Sequence, residues 1–346
     1  AITAVNPEVE NARTDRWNIA VEQQLGKDTS VTVAYVGMRT NNLLSQAQPN
    51  GFGGFPTAAR PDPRFTTQQL IDNLNLSRYR ALQITAKRRF ARGLDFTAAY
   101  TLGEAKDNNS RDSFTTFPTF LNSAANPSQS GVQGTGANFV ARDPGADFGL
   151  SEFDVRHNLT FTHVLELPIG RGRALLGDAN SFVNALLGGW ALNGLAVLRS
   201  GEPVNIVRGV DFNDDGDATA DRPALISGNL NDLYRSGSGE RTQFLITQAD
   251  ALTRLATPTT IDPKAMIARN ALRAPRVMFY DLALLKRFVV KERYNVGFEA
   301  NFFNLFNRAN FGAPINTLTN PRFGQITSNL VGTNPRQIQF GLKLNF

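Results

Sequence analysis

The sequence contains no cysteine. Disulfides, thiolate metal sites and cysteine nucleophiles are therefore excluded. Its only histidines are His157 and His163, and no carboxylate cluster at metal-ligand spacing accompanies them. Charged residues make up 19% of the 346, below the usual quarter. No run suits a spanning helix: the most apolar stretch, Phe182 to Leu198, is broken by Asn184, Gly188, Gly189, Asn193 and Gly194. There is no G-x-S-x-G nucleophile elbow and no G-x-x-x-x-G-K-S/T phosphate loop. No catalytic residue is expected, and the chain is not read as an enzyme. Ala1 to Pro7 lack both a basic and an apolar leader region, so a signal peptide is expected outside this chain.

What is abundant is glycine (29), phenylalanine (25) and a basic excess of +6. The cations are spread thinly, with no run of five to make a nucleic-acid patch. No nucleic-acid partner is expected; attraction to anionic lipid headgroups explains the excess more economically.

The dominant local signal is alternation. From Gln337 to Phe346 every even position is large and apolar, and every odd one is polar or glycine. Successive side chains of a strand point to opposite faces, so this segment has one greasy and one wet face. Its length of roughly ten residues is what a tilted strand needs to cross a bilayer. The pattern recurs at Tyr294 to Phe302, Leu94 to Leu102, Leu82 to Ala86 and Val31 to Tyr35. It is weaker at Trp17 to Leu25, His157 to Leu167, Trp190 to Val207 and Met278 to Val290. The expected fold is all-β: a partial antiparallel transmembrane β-barrel of roughly nine to ten strands.

The connections alternate in length. Tight turns fall at Gly26 to Asp28, Ala91 to Gly93 and Lys291 to Glu292. Long stretches run from Thr40 to Arg80, Glu104 to Arg156, Arg208 to Arg276 and Asn307 to Pro335, and are expected to be structureless extracellular loops. Leu167 to Gly189 is too long for a turn, and Ala179 to Leu187 suggests a short helix at the periplasmic rim. Counting strands back from the last one gives an odd number, whereas bacterial single-chain barrels are even. The expectation is that residues 1–346 are the C-terminal part of a bigger barrel domain.

These segments resemble the C-terminal barrel of TonB-dependent outer-membrane receptors, most closely the Oar-like branch with its carboxypeptidase-regulatory-like N-terminal domain. The resemblance is carried by Trp17 to Gln23, Val33 to Gly37, Tyr79 to Gln83 and Ala99 to Leu102. It continues through Phe153 to His157, Leu167 to Gly172, Gly188 to Trp190, Phe302 to Asn307 and Gln339 to Phe346. It implies a Gram-negative outer-membrane location and energy-coupled uptake of a bulky extracellular ligand. It also implies contact with outer-membrane lipid and lipopolysaccharide, and recognition by the barrel-assembly machinery through the strand ending in Phe346. A TonB-type transducer would be contacted through an N-terminal part, with plug, that this chain does not display. Two other readings stay open: a surface adhesion or structural barrel without transport, and a soluble β-sandwich.

The sharpest short motif is Asp211-Phe212-Asn213-Asp214-Asp215-Gly216-Asp217. Its alternating oxygen side chains match a calcium loop, with Asp211, Asn213 and Asp215 as ligands and Asp217 offering its carbonyl. Arg222 occupies the usual glutamate position, so Asp221 is the substitute. A solvated Asx-rich loop is the alternative. Trp17, Tyr35, Tyr100, Trp190, Tyr280 and Tyr294 suit an interfacial aromatic girdle.

Overall fold

The computed structural model describes residues 2–47, 62, 64, 68–108, 110, 148–210, 222–235, 242–258, 266–290 and 294–345. The wall is a single antiparallel meander. Its strands are β2 (Arg13–Leu25), β3 (Thr29–Ala47), β4 (Gln68–Ala91), β5 (Leu94–Asp107), β7 (His157–Glu166), β8 (Trp190–Arg199), β13 (Val277–Val290), β14 (Tyr294–Phe303) and β15 (Gln337–Asn345). They pair in the order β15-β14-β13-β8-β7-β5-β4-β3-β2. Two short strands sit off this path: β1 (Ile2–Val5) runs parallel to β4, and β6 (Gly149–Leu150) pairs with β5. Among the described residues β2 and β15 pair on one side only, so the sheet is open.

Register carries the alternation across the whole sheet. Phe340 faces Ala300, which faces Leu284, then Leu192, Leu165 and Leu94. A second row joins Leu198, Leu159, Tyr100, Ile84, Val33 and Val21. The opposite face reads Thr160, Ala99, Thr85, Thr32 and Glu22 along one such line. A one-residue slip in any strand would exchange its two faces, so the greasy row fixes the register. The apolar face is bare: Ile19 is 70% exposed, Phe340 69% and Leu342 76%. A surface this apolar is untenable in water and calls for a lipid or protein cover.

The hairpin turns follow local chemistry. Arg92 and Gly93, both at positive φ (52° and 81°), form the two-residue connection between Ala91 and Leu94. Positive φ at both central residues is the primed turn whose twist matches the strands. Gly26, at φ 72°, opens the turn from Leu25 to Thr29. The expected helix appears as α1 (Ser181–Leu187), capped by Asn180 Oδ1, which accepts from Val183 N at 2.9 Å.

Two expectations are corrected. The segment Trp190 to Val207 is not one strand. Gly201 lets the Ala274 carbonyl come so close that a Cβ there would clash, and Pro203 offers no N–H to the sheet. The chain therefore leaves after Arg199, and β9 (Pro203–Val204) pairs instead with β12 (Leu272–Arg273). Nor are the long connections structureless. β3 and β4 continue far beyond Thr40 and Arg80, through a bulge at which Asn42 takes φ 59°. Asn73 and Asn75 hold it by donating to the Asn42 and Leu44 carbonyls.

The larger correction concerns the core. Val204, Ile206, Leu233, Leu245, Leu255, Leu272, Leu318 and Phe323 form one buried cluster, each 4% exposed or less. It lies in the connections β8–β13 and β14–β15, together with β10 (Ala224–Leu225), β11 (Leu255–Ala256) and α2 (Gln248–Leu252). The protein thus keeps its water-excluding core in its loops, while its wall turns apolar side chains outward.

Candidate ligand-binding face

All the long connections leave the sheet at one rim. The loop unit built from two of them is fastened to the polar side of that rim. Along β5, Gly103, Ala105 and Asp107 face the polar side. Arg269 Nη2 donates to the Asp107 carboxylate and carbonyl, with the two side chains 1% and 5% exposed. Arg269 Nη1 adds a bond to Ser110 Oγ at 3.1 Å. Beside it, Arg273 pairs with Asp154, whose other oxygen accepts from Ala105 N at 2.6 Å. Asn270 Nδ2 donates to the Leu150 carbonyl at 2.6 Å. A buried guanidinium–carboxylate pair with its remaining valences filled is costly to break, because either partner alone would be a stranded charge.

Within this unit is a polar cleft of about 670 Å³, lined by Asp232, Arg235, Gln243, Asp250, Arg254 and Gln325 among others. Arg254 Nη1 stands 3.7 Å from Asp232 Oδ2. Both charge signs and two side-chain amides converge, which suits a ligand rich in hydrogen-bonding groups. At the opposite, short-turn rim a second cleft of about 580 Å³ opens on the polar face, lined by Glu166, Arg173, Asn193, Arg287, Glu299 and Lys343. Arg173 and Glu166 are 3.1 Å apart there. In the β3–β4 connection, the Arg64 guanidinium hydrogen-bonded to Asp62 holds that carboxyl down to about 2.

The calcium motif, Asp211, Asn213, Asp215, Asp217 and Asp221, lies outside the described residues. Its flanks are anchored in the loop unit: Leu318 N donates to the Val207 carbonyl at 3.0 Å, and Arg222 Nε to the Ile267 carbonyl at 3.0 Å. Among the described residues no group of three or more His, Asp or Glu could hold a metal. The two histidines share the apolar face, each bonded to a tyrosine: His157 Nδ1 to Tyr100 Oη and His163 Nε2 to Tyr280 Oη, both 2.8 Å. Gly194 leaves the room for the second pair, since a Cβ there would lie 2.3 Å from His163 Nε2. Tyr100 and Tyr280 thus satisfy polar atoms on a surface where water would not. Trp17 and Trp190 sit at opposite rims, as girdle residues do. Tyr294 has a side chain outside the described ones.

The family model of the outer membrane beta barrel domain matches residues 1–339. The chain belongs to that family. Its wall therefore crosses the Gram-negative outer membrane, with lipid against the apolar face, the short turns in the periplasm and the loop unit outside. The long-loop rim is the extracellular one, and the 670 Å³ cleft lies in the loop unit that this rim carries. No curated protein matches. Among solved structures, the chain is similar to the outer membrane transporter YddB from Escherichia coli, with 10% identity and a TM-score of 0.46, covering 99% of this chain and 33% of that one. It is also similar to the pyoverdine outer membrane receptor FpvA from Pseudomonas aeruginosa PAO1, with 11% identity and a TM-score of 0.44, covering 98% and 30%. A third is BauA, the ferric preacinetobactin receptor from Acinetobacter baumannii, with 10% identity and a TM-score of 0.42, covering 95% and 29%. The chain spans about a third of the length of these structures.

Sequence reasoning reached the wall, its faces and the turns at Gly26 to Asp28 and Ala91 to Gly93; the turn expected at Lys291 to Glu292 lies outside the described residues. It missed Arg269, Arg273, Asp107 and the loop core. Only the scatter of apolar residues within the long connections hinted at them.

Proposed function

We propose that this chain forms the C-terminal wall and extracellular loops of a TonB-dependent receptor of the Oar-like branch, one that takes up a bulky ligand with energy from a periplasmic transducer. The observation that carries the reading is the folded loop unit, fastened to the lumenal side of the extracellular rim by Arg269–Asp107 and Arg273–Asp154 and containing a polar cleft. Loops that merely connect strands need no core of their own. The open edges at β2 and β15 support the larger-barrel part of the proposal, because lipid does not tolerate unpaired strand edges. Further strands would close the wall, and a plug and transducer-contact segment would belong to the same protein. The strand ending in Phe346 would be the segment read by the barrel-assembly machinery.

The test is the coding sequence upstream of Ala1 in the source genome. A plug domain and further alternating strands are expected. A secretory leader directly before Ala1 would overturn the larger-barrel reading and favour an adhesion or structural barrel. We further propose that Asp211, Asn213, Asp215, Asp217 and Asp221 bind calcium at the millimolar affinity suited to extracellular sites. Calorimetry on the folded protein showing no heat at millimolar calcium would remove that site.

A further inference from the structure

On the outward, lipid-facing side, the apolar band ends abruptly at the extracellular rim. Above Ile19, Tyr35, Leu82 and Leu102, which lie in one register line, come Glu104 facing Arg80, and then Lys106 facing Arg78 facing Arg39. The last line places three cations in register on adjacent strands, about 4.8 Å apart strand to strand. Like charges directly opposite one another in a sheet are destabilising unless something offsets them. Two carboxylates among the described residues stand beside this row, Glu104 and Asp15, and Glu104 is already shared among Arg80 at 2.7 Å, Lys106 at 3.5 Å and Arg156 at 3.7 Å. Arg39 and Arg78 pair with no carboxylate among the described residues. Arg39 donates to Asn41 Oδ1, and Arg78 lies 5.3 Å over the Phe148 ring. Asp15, opposite Arg39, is taken by Arg13 at 3.1 Å.

This row borders a cleft of about 440 Å³ floored by Trp17 and Tyr35. The Trp17 indole lies across Gly37, where a Cβ would come within 2.1 Å of it, so the floor is flat only because residue 37 is glycine. An aromatic shelf at headgroup depth, cations above it and bare aliphatic side chains below it match an amphiphile with phosphates at one end and acyl chains at the other.

We propose that Arg39, Arg78, Arg80 and Lys106 bind the phosphate groups of an outer-leaflet lipopolysaccharide molecule, whose acyl chains lie along Tyr35, Leu82 and Leu102. The bound phosphate supplies the counter-charge that the in-register cations lack, and Glu104 holds Arg80 and Lys106 in position for it. This site is on the outside of the wall, away from the extracellular cleft, and does not depend on the uptake reading.

The experiment measures lipopolysaccharide retained by the protein isolated from outer membranes in mild detergent, comparing the parent with the double variant Arg78→Gln, Lys106→Gln. A cation at an anionic membrane surface is worth roughly a fivefold change in affinity, so losing both lowers retention roughly thirtyfold. Lys87→Gln, on the polar face of β4, is the control for charge loss and leaves retention unchanged. Heat-dependent gel mobility confirms that each variant is folded. Added lipopolysaccharide should displace the bound molecule, while its enzymatically dephosphorylated form and millimolar inorganic phosphate should not. Undiminished retention by the folded double variant overturns the proposal. So does equal displacement by the dephosphorylated lipid, which would mean acyl contact alone, or by inorganic phosphate, which would mean a simple anion site.

Discussion

Replacing Arg269 by Met should release the loop unit from the barrel without unfolding the wall. In the native protein the guanidinium and the Asp107 carboxylate are both almost fully buried, and Ser110 Oγ takes part in the same network. Methionine fills much of the volume but leaves Asp107 charged and buried without a counter-charge, with only the Ser110 hydroxyl donating to it. Breaking a buried pair in this way costs about 3–5 kcal/mol. At about 1.4 kcal/mol per factor of ten, the equilibrium between undocked and docked loops shifts by roughly a thousandfold. The wall pairs through its own backbone ladder and is not involved. Hydrogen exchange of the loop unit, read at Leu233, Leu245 and Leu272, should therefore accelerate by about that factor. Exchange at Ala300 in β14 should stay slow. Converting Asp107 to Leu in the Arg269→Met background removes the stranded charge and should restore most of the protection, because a buried pair replaced by apolar groups is often neutral. Loop exchange in Arg269→Met within a factor of a few of the parent would refute the reasoning. Equal acceleration in the wall would refute it as well, since the loops and the barrel would then open as one unit.

Three further substitutions probe the wall. Gly194→Val places a side chain where His163 and Tyr280 meet, and should destabilise the barrel by about 1–3 kcal/mol from overpacking alone; urea titration in micelles would show it as a lower midpoint, and an unchanged midpoint would mean that the pair is dispensable. Gly93→Ala puts a Cβ at φ 81°, a conformation that costs an L-residue about 1–2 kcal/mol, and brings it 3.2 Å from the Glu166 carbonyl; slower refolding into micelles and a lower midpoint are expected. Lys286→Met deletes an ammonium that donates to the Leu186 and Gly188 carbonyls at 3.0 and 2.6 Å, closing the C-terminal end of α1 beneath the Trp190 ring. The helix should fray, with faster proteolysis between Arg171 and Gly189, and an unaltered digest would show that the Asn180 cap and the Arg171 and Trp190 hydrogen bonds hold α1 without the lysine.

The sequence by itself determined the wall. Alternation is a local property, since neighbouring side chains of an extended chain must point to opposite faces. Each of the nine long strands therefore showed a segment of itself in the sequence, and β15 and β14 could be placed almost residue by residue, although β3 and β4 run far beyond their alternating segments. The tight connection at Ala91 to Gly93 was equally legible, whereas the positive φ of Arg92 and Gly93 came with the pairing of Ala91 and Leu94. The break after Arg199 was not, because Gly201 and Pro203 act only once the Ala274 backbone packs against them.

The docked loop unit was decided by tertiary structure alone. Arg269 and Asp107 are 162 residues apart, and Val204, Leu233 and Phe323 have no common period. Nothing in a stretch of chain records which distant carboxylate a guanidinium will meet, or which scattered leucines will share a core. The in-register line of Lys106, Arg78 and Arg39 falls between the two cases. Each residue's face follows from its own strand, but the line itself exists only through the pairing of β5, β4 and β3. Strand faces are fixed by bonds along the chain, and sites are fixed by contacts across it.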